Sequence, residues 1–88
     1  GQDIQWAELR FTPERSRWVD REQWHPDQES SHEIDGSFVL KVPYSDPREL
    51  LGDILRHGPE VEVMAPTPLR HSVQKALAQA LRRYESYD

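Results

Sequence analysis

A tryptophan and a histidine stand side by side at Trp24-His25, directly before the turn-forming Pro26. Trp can stack on a nucleic-acid base and His can contact a phosphate, so the pair is suited to ligand binding. A Trp side chain also buries up to about 250 Å² and needs a partner for its indole N–H, so the pair suits a structural role as well. In the structural interpretation, Trp24 closes the end of a sheet and His25 bonds to the backbone at the corner. In the functional interpretation, the pair lines an effector pocket that faces another domain.

Basic side chains precede this pair, with Arg15, Arg17 and Arg21 on one predicted helix and Arg10 on the strand before it. A solvated helix face accounts for them, and so does contact with an anion or with single-stranded nucleic acid in a longer protein. The candidate ligand-binding residues are therefore Arg10, Arg17, Arg21, Trp24 and His25.

Nothing in the sequence predicts catalysis or a metal site. The four histidines are His25, His32, His57 and His71. No two of them are spaced as helical i, i+4 metal ligands, and no glycine-rich phosphate loop is present. We therefore expect no catalytic residue, no metal and no cofactor. His57, at the end of a predicted helix, is interpreted as a cation that the helix dipole stabilises.

Composition limits the classes of function further. The chain has 88 residues, which fits one domain spanning residues 1–88, and its net charge of −5 argues against independent duplex-DNA binding. It contains no cysteine, so disulfides and thiolate zinc sites are excluded and a cytoplasmic location is expected. No apolar run approaches the roughly 20 residues that span a bilayer, so no membrane partner is expected. The chain begins at Gly1 rather than at Met, which suggests a segment of a longer protein.

Alternating apolar and polar residues predict strands over residues 5–11, 28–34, 37–44 and 60–64, of which the second is weak. Asp35-Gly36 predicts that the middle two form a hairpin with a type I′ turn, in which both central residues have positive φ. Pro43 lacks a backbone N–H, so the outer side of its strand there should be an edge or a bulge.

Capping signals and apolar stripes predict three helices. Thr12-Pro13 begins the first, which runs to about residue 22 with Trp18 and Val19 as its apolar contacts. A capping box at 46–49 begins the second, which ends at 57–59. The third begins at 67 and carries an apolar stripe comprising Leu69, Val73, Leu77, Ala80, Leu81 and Tyr84. The order β-α-β-β-α-β followed by a terminal helix predicts an α+β fold: a ferredoxin-like split βαβ plait with a four-stranded antiparallel sheet.

Two helices should cover one face of this sheet and leave the other open. The open face is predicted to carry Trp6, Glu8, Arg10, Val39, Lys41, Glu60 and Glu62. RNA-binding plaits stack bases on aromatic residues of their central strands, whereas the third strand here offers Val39 and Lys41. We therefore expect this face to dock against a protein domain rather than to bind RNA.

Several short motifs occur in an order and spacing that point to a known family. They are Leu9-Arg10-Phe11-Thr12-Pro13-Glu14, Gln23-Trp24-His25-Pro26-Asp27-Gln28, Asp35-Gly36-Ser37, Asp46-Pro47-Arg48-Glu49-Leu50, His57-Gly58-Pro59-Glu60-Val61-Glu62-Val63 and Pro68-Leu69-Arg70. From about Ala7 to Tyr84 the chain resembles the C-terminal extension (WCX) of WYL-domain bacterial transcriptional regulators.

The resemblance implies a function that the composition does not show. Such regulators have a DNA-reading winged helix-turn-helix and a WYL domain, neither of which this chain contains, and the extension helps to form the homodimer. The resemblance implies a non-catalytic regulatory module that mediates dimerisation and ligand sensing, with an adjacent WYL domain and a second subunit as partners. A nucleotide or single-stranded nucleic acid is the implied effector.

The alternative is a plait that itself binds single-stranded nucleic acid through a local Arg/Trp patch. Whether the terminal helix packs on its own sheet or on a partner's stays open.

Overall fold

The computed structural model describes residues 3–85; Gly1, Gln2 and the last three residues, all within the predicted 1–88 domain, lie outside the described part. The elements are β1 (Gln5–Phe11), α1 (Pro13–Val19), β2 (Glu29–His32), β3 (Phe38–Tyr44), α2 (Pro47–Arg56), a 3₁₀ turn (Gly58–Glu60), β4 (Val61–Ala65) and α3 (Thr67–Glu85). This order confirms the predicted α+β plait with an added terminal helix.

All strand pairs are antiparallel, and the sheet order is β2-β3-β1-β4. β1 and β3 therefore lie in the middle, while β2 and β4 form the edges. The register pairs Leu9 with Leu40 and also with Val63, which places these side chains on one face. β2 pairs with β3 only as far as Lys41, so Pro43 lies beyond the end of β2 and the predicted edge is confirmed.

One face of the sheet carries the core. Its buried apolar side chains are Ala7, Leu9, Phe11, Phe38, Leu40, Val42 and Val63 from the strands, with Val19, Leu50, Ile54 and Leu69 from the helices. These strand residues alternate along the chain with the residues predicted for the open face, as expected for the inward side. The opposite face remains open, with Trp6 44% and Met64 43% exposed.

The hairpin between β2 and β3 forms where Asp35-Gly36 predicts it, but the predicted type I′ turn is wrong. Of the two residues predicted to have positive φ, only Gly36 does, at +92°, whereas Asp35 does not. The N–H of Gly36 donates to the carbonyl of Glu33 (2.9 Å), and the N–H of Glu33 donates to the carbonyl of Ser37 (2.8 Å). This is a three-residue loop with a type I turn followed by a glycine bulge. The Asp35 carboxylate accepts the Ser37 N–H at 2.8 Å and so holds the loop.

Helix α1 is shorter than predicted. It ends at Val19 rather than near residue 22, because the hydrogen bonds beyond it join residues three apart, as in a 3₁₀ turn. The N–H of Glu22 donates to the carbonyl of Val19 (2.9 Å). Trp18, predicted as an apolar contact, is 62% exposed, and the Arg15 guanidinium lies 6.0 Å from its ring centroid. The buried positions of α1 are Ser16 and Val19.

Two strand boundaries also differ from the prediction. β2 contains only residues 29–32, which are all exposed at the sheet edge. Glu60 belongs to the 3₁₀ turn and not to the outward face of β4. Its carbonyl accepts the Thr12 N–H (3.1 Å) and its carboxylate accepts the Thr12 hydroxyl. Thr12 also N-caps α1, so these bonds join the start of α1 to the start of β4.

Helix α3 packs against β4 and α2 of its own chain. Leu69 is its buried residue and Val73 packs partly against the core, whereas the following turns are exposed. No helix within the described residues is both long and apolar enough to cross a lipid bilayer.

Candidate functional site

A cleft of about 720 Å³ lies where β1 begins, β3 ends and α2 begins, beside the corner at residues 24–27. Residues from four parts of the chain line it: Ile4, Trp6, Trp24, His25, Asp27, Pro43, Tyr44, Ser45, Asp46, Glu49, Leu50 and Asp53. We call this the acidic cleft, because the lining includes four carboxylates and no lysine or arginine.

The corner is held by Gln28. Its side-chain oxygen accepts the backbone N–H groups of Trp24 (2.6 Å) and His25 (3.2 Å), and its amide nitrogen donates to the carbonyl of Glu22 (3.1 Å). The Nδ1 atom of His25 accepts the backbone N–H of Asp27 at 3.0 Å. His25 therefore bonds to the backbone, as its structural interpretation predicts.

The ring of Trp24 packs against the end of the sheet and the end of α2. It meets Phe11 edge-on, with ring centroids 5.9 Å apart, and stacks on His57 at 5.8 Å. Its indole N–H donates to the carboxylate of Glu22 at 3.0 Å. The half-buried side chain also lines the acidic cleft, so Trp24 has structural contacts while contributing to a cavity wall.

His57 lies behind Trp24 and is 6% exposed. Neither ring nitrogen has a hydrogen-bond partner within the described residues. Burial lowers the pKa of His57 below its usual value, the cations of Arg56 and Arg15 lower it further, and the carboxylates of Glu22 and Asp53 oppose them. The prediction that His57 acts as a helix-terminal cation is wrong, because its ring faces Phe11 and Trp24 rather than water.

One wall of the acidic cleft comes from the start of α2. Asp46, Glu49 and Asp53 follow an i, i+3, i+7 spacing, which places them on one side of the helix. Asp46 caps α2 by accepting the Arg48 N–H (3.0 Å), and it also pairs with the Arg48 guanidinium (2.8 Å). These hydrogen bonds from Arg48 lower the pKa of Asp46 to about 2, so its carboxylate is charged at neutral pH.

The remaining acids of the cleft are less engaged. Asp53 lies 3.8 Å from the Arg56 guanidinium, a long ion pair at the surface. The side chains of Asp27 and Glu49 make no salt bridge within residues 3–85. The sequence pattern at 46–49 predicted only a capping box, so this wall was missed. The i, i+3, i+7 spacing of the α2 acids was the signal that could have identified it.

The structure separates the predicted ligand-binding residues. Trp24 and His25 lie together on the acidic cleft, but Arg10 points to the open face of the sheet, where Glu33 (2.7 Å) and Asp35 (3.1 Å) bind it. Arg17 and Arg21 are exposed, on α1 and in the turn after it, and are not among the residues that line the cleft. Of the five predicted ligand-binding residues, the cleft therefore brings together Trp24 and His25.

The order of strands and helices defines a ferredoxin-like α+β domain. Within residues 3–85, no group of three or more His, Asp or Glu side chains is arranged to hold a metal ion. Residues 3–81 match the family profile of the WCX domain, so the chain belongs to the WCX domain family. This family is associated with WYL-type regulators, and it is regulatory rather than catalytic. No curated protein matches the chain.

Proposed function

We propose that the chain is the non-catalytic regulatory module of a WYL-type transcription factor. In this role it contributes to dimerisation and to an effector response, which together tune DNA binding by another domain. Membership of the WCX family supports the regulatory role. The observation that carries the dimerisation proposal is an apolar stripe on α3 that extends beyond the core.

The stripe follows one side of the 19-residue helix α3. Its first members, Leu69 and Val73, contact the core, but Leu77, Leu81 and Tyr84 are 46%, 58% and 82% exposed. Fully burying a leucine contributes about 1.5–3 kcal/mol, so continued exposure of this side is unfavourable compared with docking. A second subunit that covers the stripe would bury the surface that the fold leaves open.

A shallow cavity of about 200 Å³ adjoins the stripe and supports the proposal that a partner seats there. Val61, Val63, Val73 and Leu77 contribute apolar lining, between β4 and α3. β4 is also an edge strand, so the groove runs along an edge of the sheet. A side chain from a second α3 would fit between these two elements, which supports a two-fold arrangement in which both copies use this surface.

The open sheet face is the proposed contact for the neighbouring WYL domain. Trp6 and Met64 expose apolar surface there among charged residues such as Lys41 and Glu62, as docking faces often do. An effector bound between the two domains, a nucleotide or single-stranded nucleic acid, would bias their relative orientation and so the spacing of two DNA-reading heads.

The alternative proposal, direct binding of single-stranded nucleic acid by this chain, has less support. It requires Arg10, Arg17 and Arg21 to act with Trp24, and the structure places Arg10 on a different face, in ion pairs. The cleft beside Trp24 carries carboxylates, which repel phosphate.

Dimerisation is tested by sedimentation of the chain over a range of concentrations. The unaltered chain is expected to shift from monomer to dimer, whereas Leu81→Glu stays monomeric because its charge lies within the stripe. Gln79→Glu is the matched control, since it adds the same charge on the opposite side of α3 and should dimerise normally.

A monomer at every concentration for the unaltered chain, or equal weakening by both variants, would contradict a dimer built on the α3 stripe.

The regulatory role is tested separately in the full-length regulator. Deleting residues 3–85 should alter the concentration dependence of operator binding and its response to effector. Identical operator binding with and without these residues would overturn the proposal.

A further inference from the structure

We propose that the acidic cleft is a docking site for an arginine-bearing segment of polypeptide. This proposal names a partner for a surface that the dimerisation proposal does not use. It rests on the charge of the lining, on its aromatic walls and on the dimensions of the cleft.

The charge of the lining selects a cation. Asp27, Asp46, Glu49 and Asp53 contribute carboxylates, and no lysine or arginine lines the cleft. Exposed arginines partly neutralise Asp46 and Asp53 from outside, but Asp27 and Glu49 have no salt-bridge partner within residues 3–85. Asp27 belongs to the corner and Glu49 to α2, and the planar guanidinium of arginine, with its five donors, suits binding to such carboxylates.

The aromatic lining favours arginine among cations. Trp6, Trp24 and Tyr44 all contribute to the walls. A planar guanidinium stacks on aromatic rings and is more weakly hydrated than an ammonium group, so it loses less on entering a partly apolar cleft.

The size and openness of the cleft favour a chain segment over a small free cation. A volume of about 720 Å³ exceeds what one guanidinium fills, and the cleft extends along the outer ends of β1 and β3. The backbone of β3 ends at Tyr44 and leads into the exposed residue Ser45, which gives an extended peptide polar groups to bond. Anionic ligands are disfavoured by the same four carboxylates.

The test is an NMR titration with an acetylated, amidated Gly-Arg-Gly tripeptide, in which the three tryptophan indole N–H signals of the chain are followed. Trp6 and Trp24 line the cleft and should shift in a saturable way, while Trp18, outside it on α1, should not. The same peptide with citrulline, which has the shape of arginine without its charge, should bind at least about threefold more weakly, as expected for loss of surface ion pairs.

Variants locate the interaction. Glu49→Gln should weaken binding of the arginine peptide about threefold, and Asp27→Asn should do the same. Glu14→Gln is the matched control, because Glu14 also lies in the first turn of a helix but is not among the residues that line the cleft, and it should leave affinity unchanged.

Equal binding of the arginine and citrulline peptides, a shift confined to Trp18, or equal effects of Glu49→Gln and Glu14→Gln would overturn the proposal. So would preferential binding of a single-stranded oligonucleotide at Trp6 and Trp24. Sedimentation of Glu49→Gln should match that of the unaltered chain, so failure of this proposal and failure of the dimerisation proposal are distinguishable.

Discussion

The indole ring of Trp24 stacks on the imidazole ring of His57, with ring centroids 5.8 Å apart and an angle of 19° between the planes. Phe11 meets His57 edge-on at 5.2 Å and Trp24 at 5.9 Å. Three parts of the chain thus meet in one aromatic cluster: the end of β1, the corner before β2 and the end of α2. The cluster fixes the corner that forms one side of the acidic cleft.

Acidification is expected to destabilise the fold through His57. Its pKa is lowered in the folded chain, mainly by burial, so around and below the usual value of 6.5 the unfolded chain binds a proton that the folded chain excludes. Stability from the neutral ring is therefore present at higher pH and is lost as pH falls through that region. Thermal unfolding at about pH 7.5 and about pH 5.5 should show a lower midpoint in acid, and His57→Leu should reduce this difference.

The control for this measurement is His71→Gln, which removes an exposed histidine of α3 and should leave the pH difference unchanged. At about pH 7.5, His57→Leu should change the free energy of unfolding by less than about 1.5 kcal/mol. Loss of the aromatic contacts is offset by removal of two nitrogens that have no partner within the described residues. An equal pH difference in the unaltered chain and in His57→Leu would contradict this account.

Trp24 should matter far more for stability than Trp18, although both are tryptophans within a short stretch of chain. Trp24→Ala removes contacts with Phe11 and His57 and should lower the free energy of unfolding by about 2–4 kcal/mol. Trp18→Ala removes a side chain that is 62% exposed and contacts Arg15, so it should cost less than about 1 kcal/mol. Urea unfolding followed by circular dichroism measures both. Equal losses in the two variants would show that Trp24 does not anchor the corner.

Two glycines are expected to respond in opposite ways to alanine. Gly36 has φ of +92°, and a Cβ atom there would lie 3.3 Å from the Cβ of Pro13, so Gly36→Ala should destabilise the chain by about 1–3 kcal/mol. Gly52 lies within α2, and apart from its chain neighbours and the backbone of its own helix no atom lies within 4 Å of an added Cβ. Gly52→Ala should stabilise the chain by about 0.5–1 kcal/mol, because alanine loses less backbone entropy in a helix.

Thermal unfolding of the two alanine variants beside the unaltered chain measures these effects. The comparison isolates backbone conformation, since both substitutions add one methyl group. Stabilisation by Gly36→Ala would show that the β2–β3 loop does not require the positive φ of its glycine bulge.

Local patterns were sufficient to predict most of the fold. Strand alternation identified the inward residues of β1 and β3, and Thr12 and Asp46 cap the helices that they were predicted to begin. These features depend on residues within a few positions of one another, through side-chain alternation and hydrogen bonds to nearby N–H groups. The Asp35-Gly36 hairpin was likewise located by a local signal, although the turn type was wrong.

The candidate site depended on contacts between distant positions, and the sequence alone did not determine it. Arg10 pairs with Asp35, 25 positions away, and Thr12 bonds to Glu60, 48 positions away. His57 has the local signature of a helix-terminal cation, yet the packing of Phe11 and Trp24 buries it, and burial lowers its pKa. The sequence by itself determined the elements and their inward faces, because propensity, capping and alternation are local. Only the tertiary structure decided which rings stack, which arginines are bound and which carboxylates face one cleft, because strand register and helix packing bring those groups together.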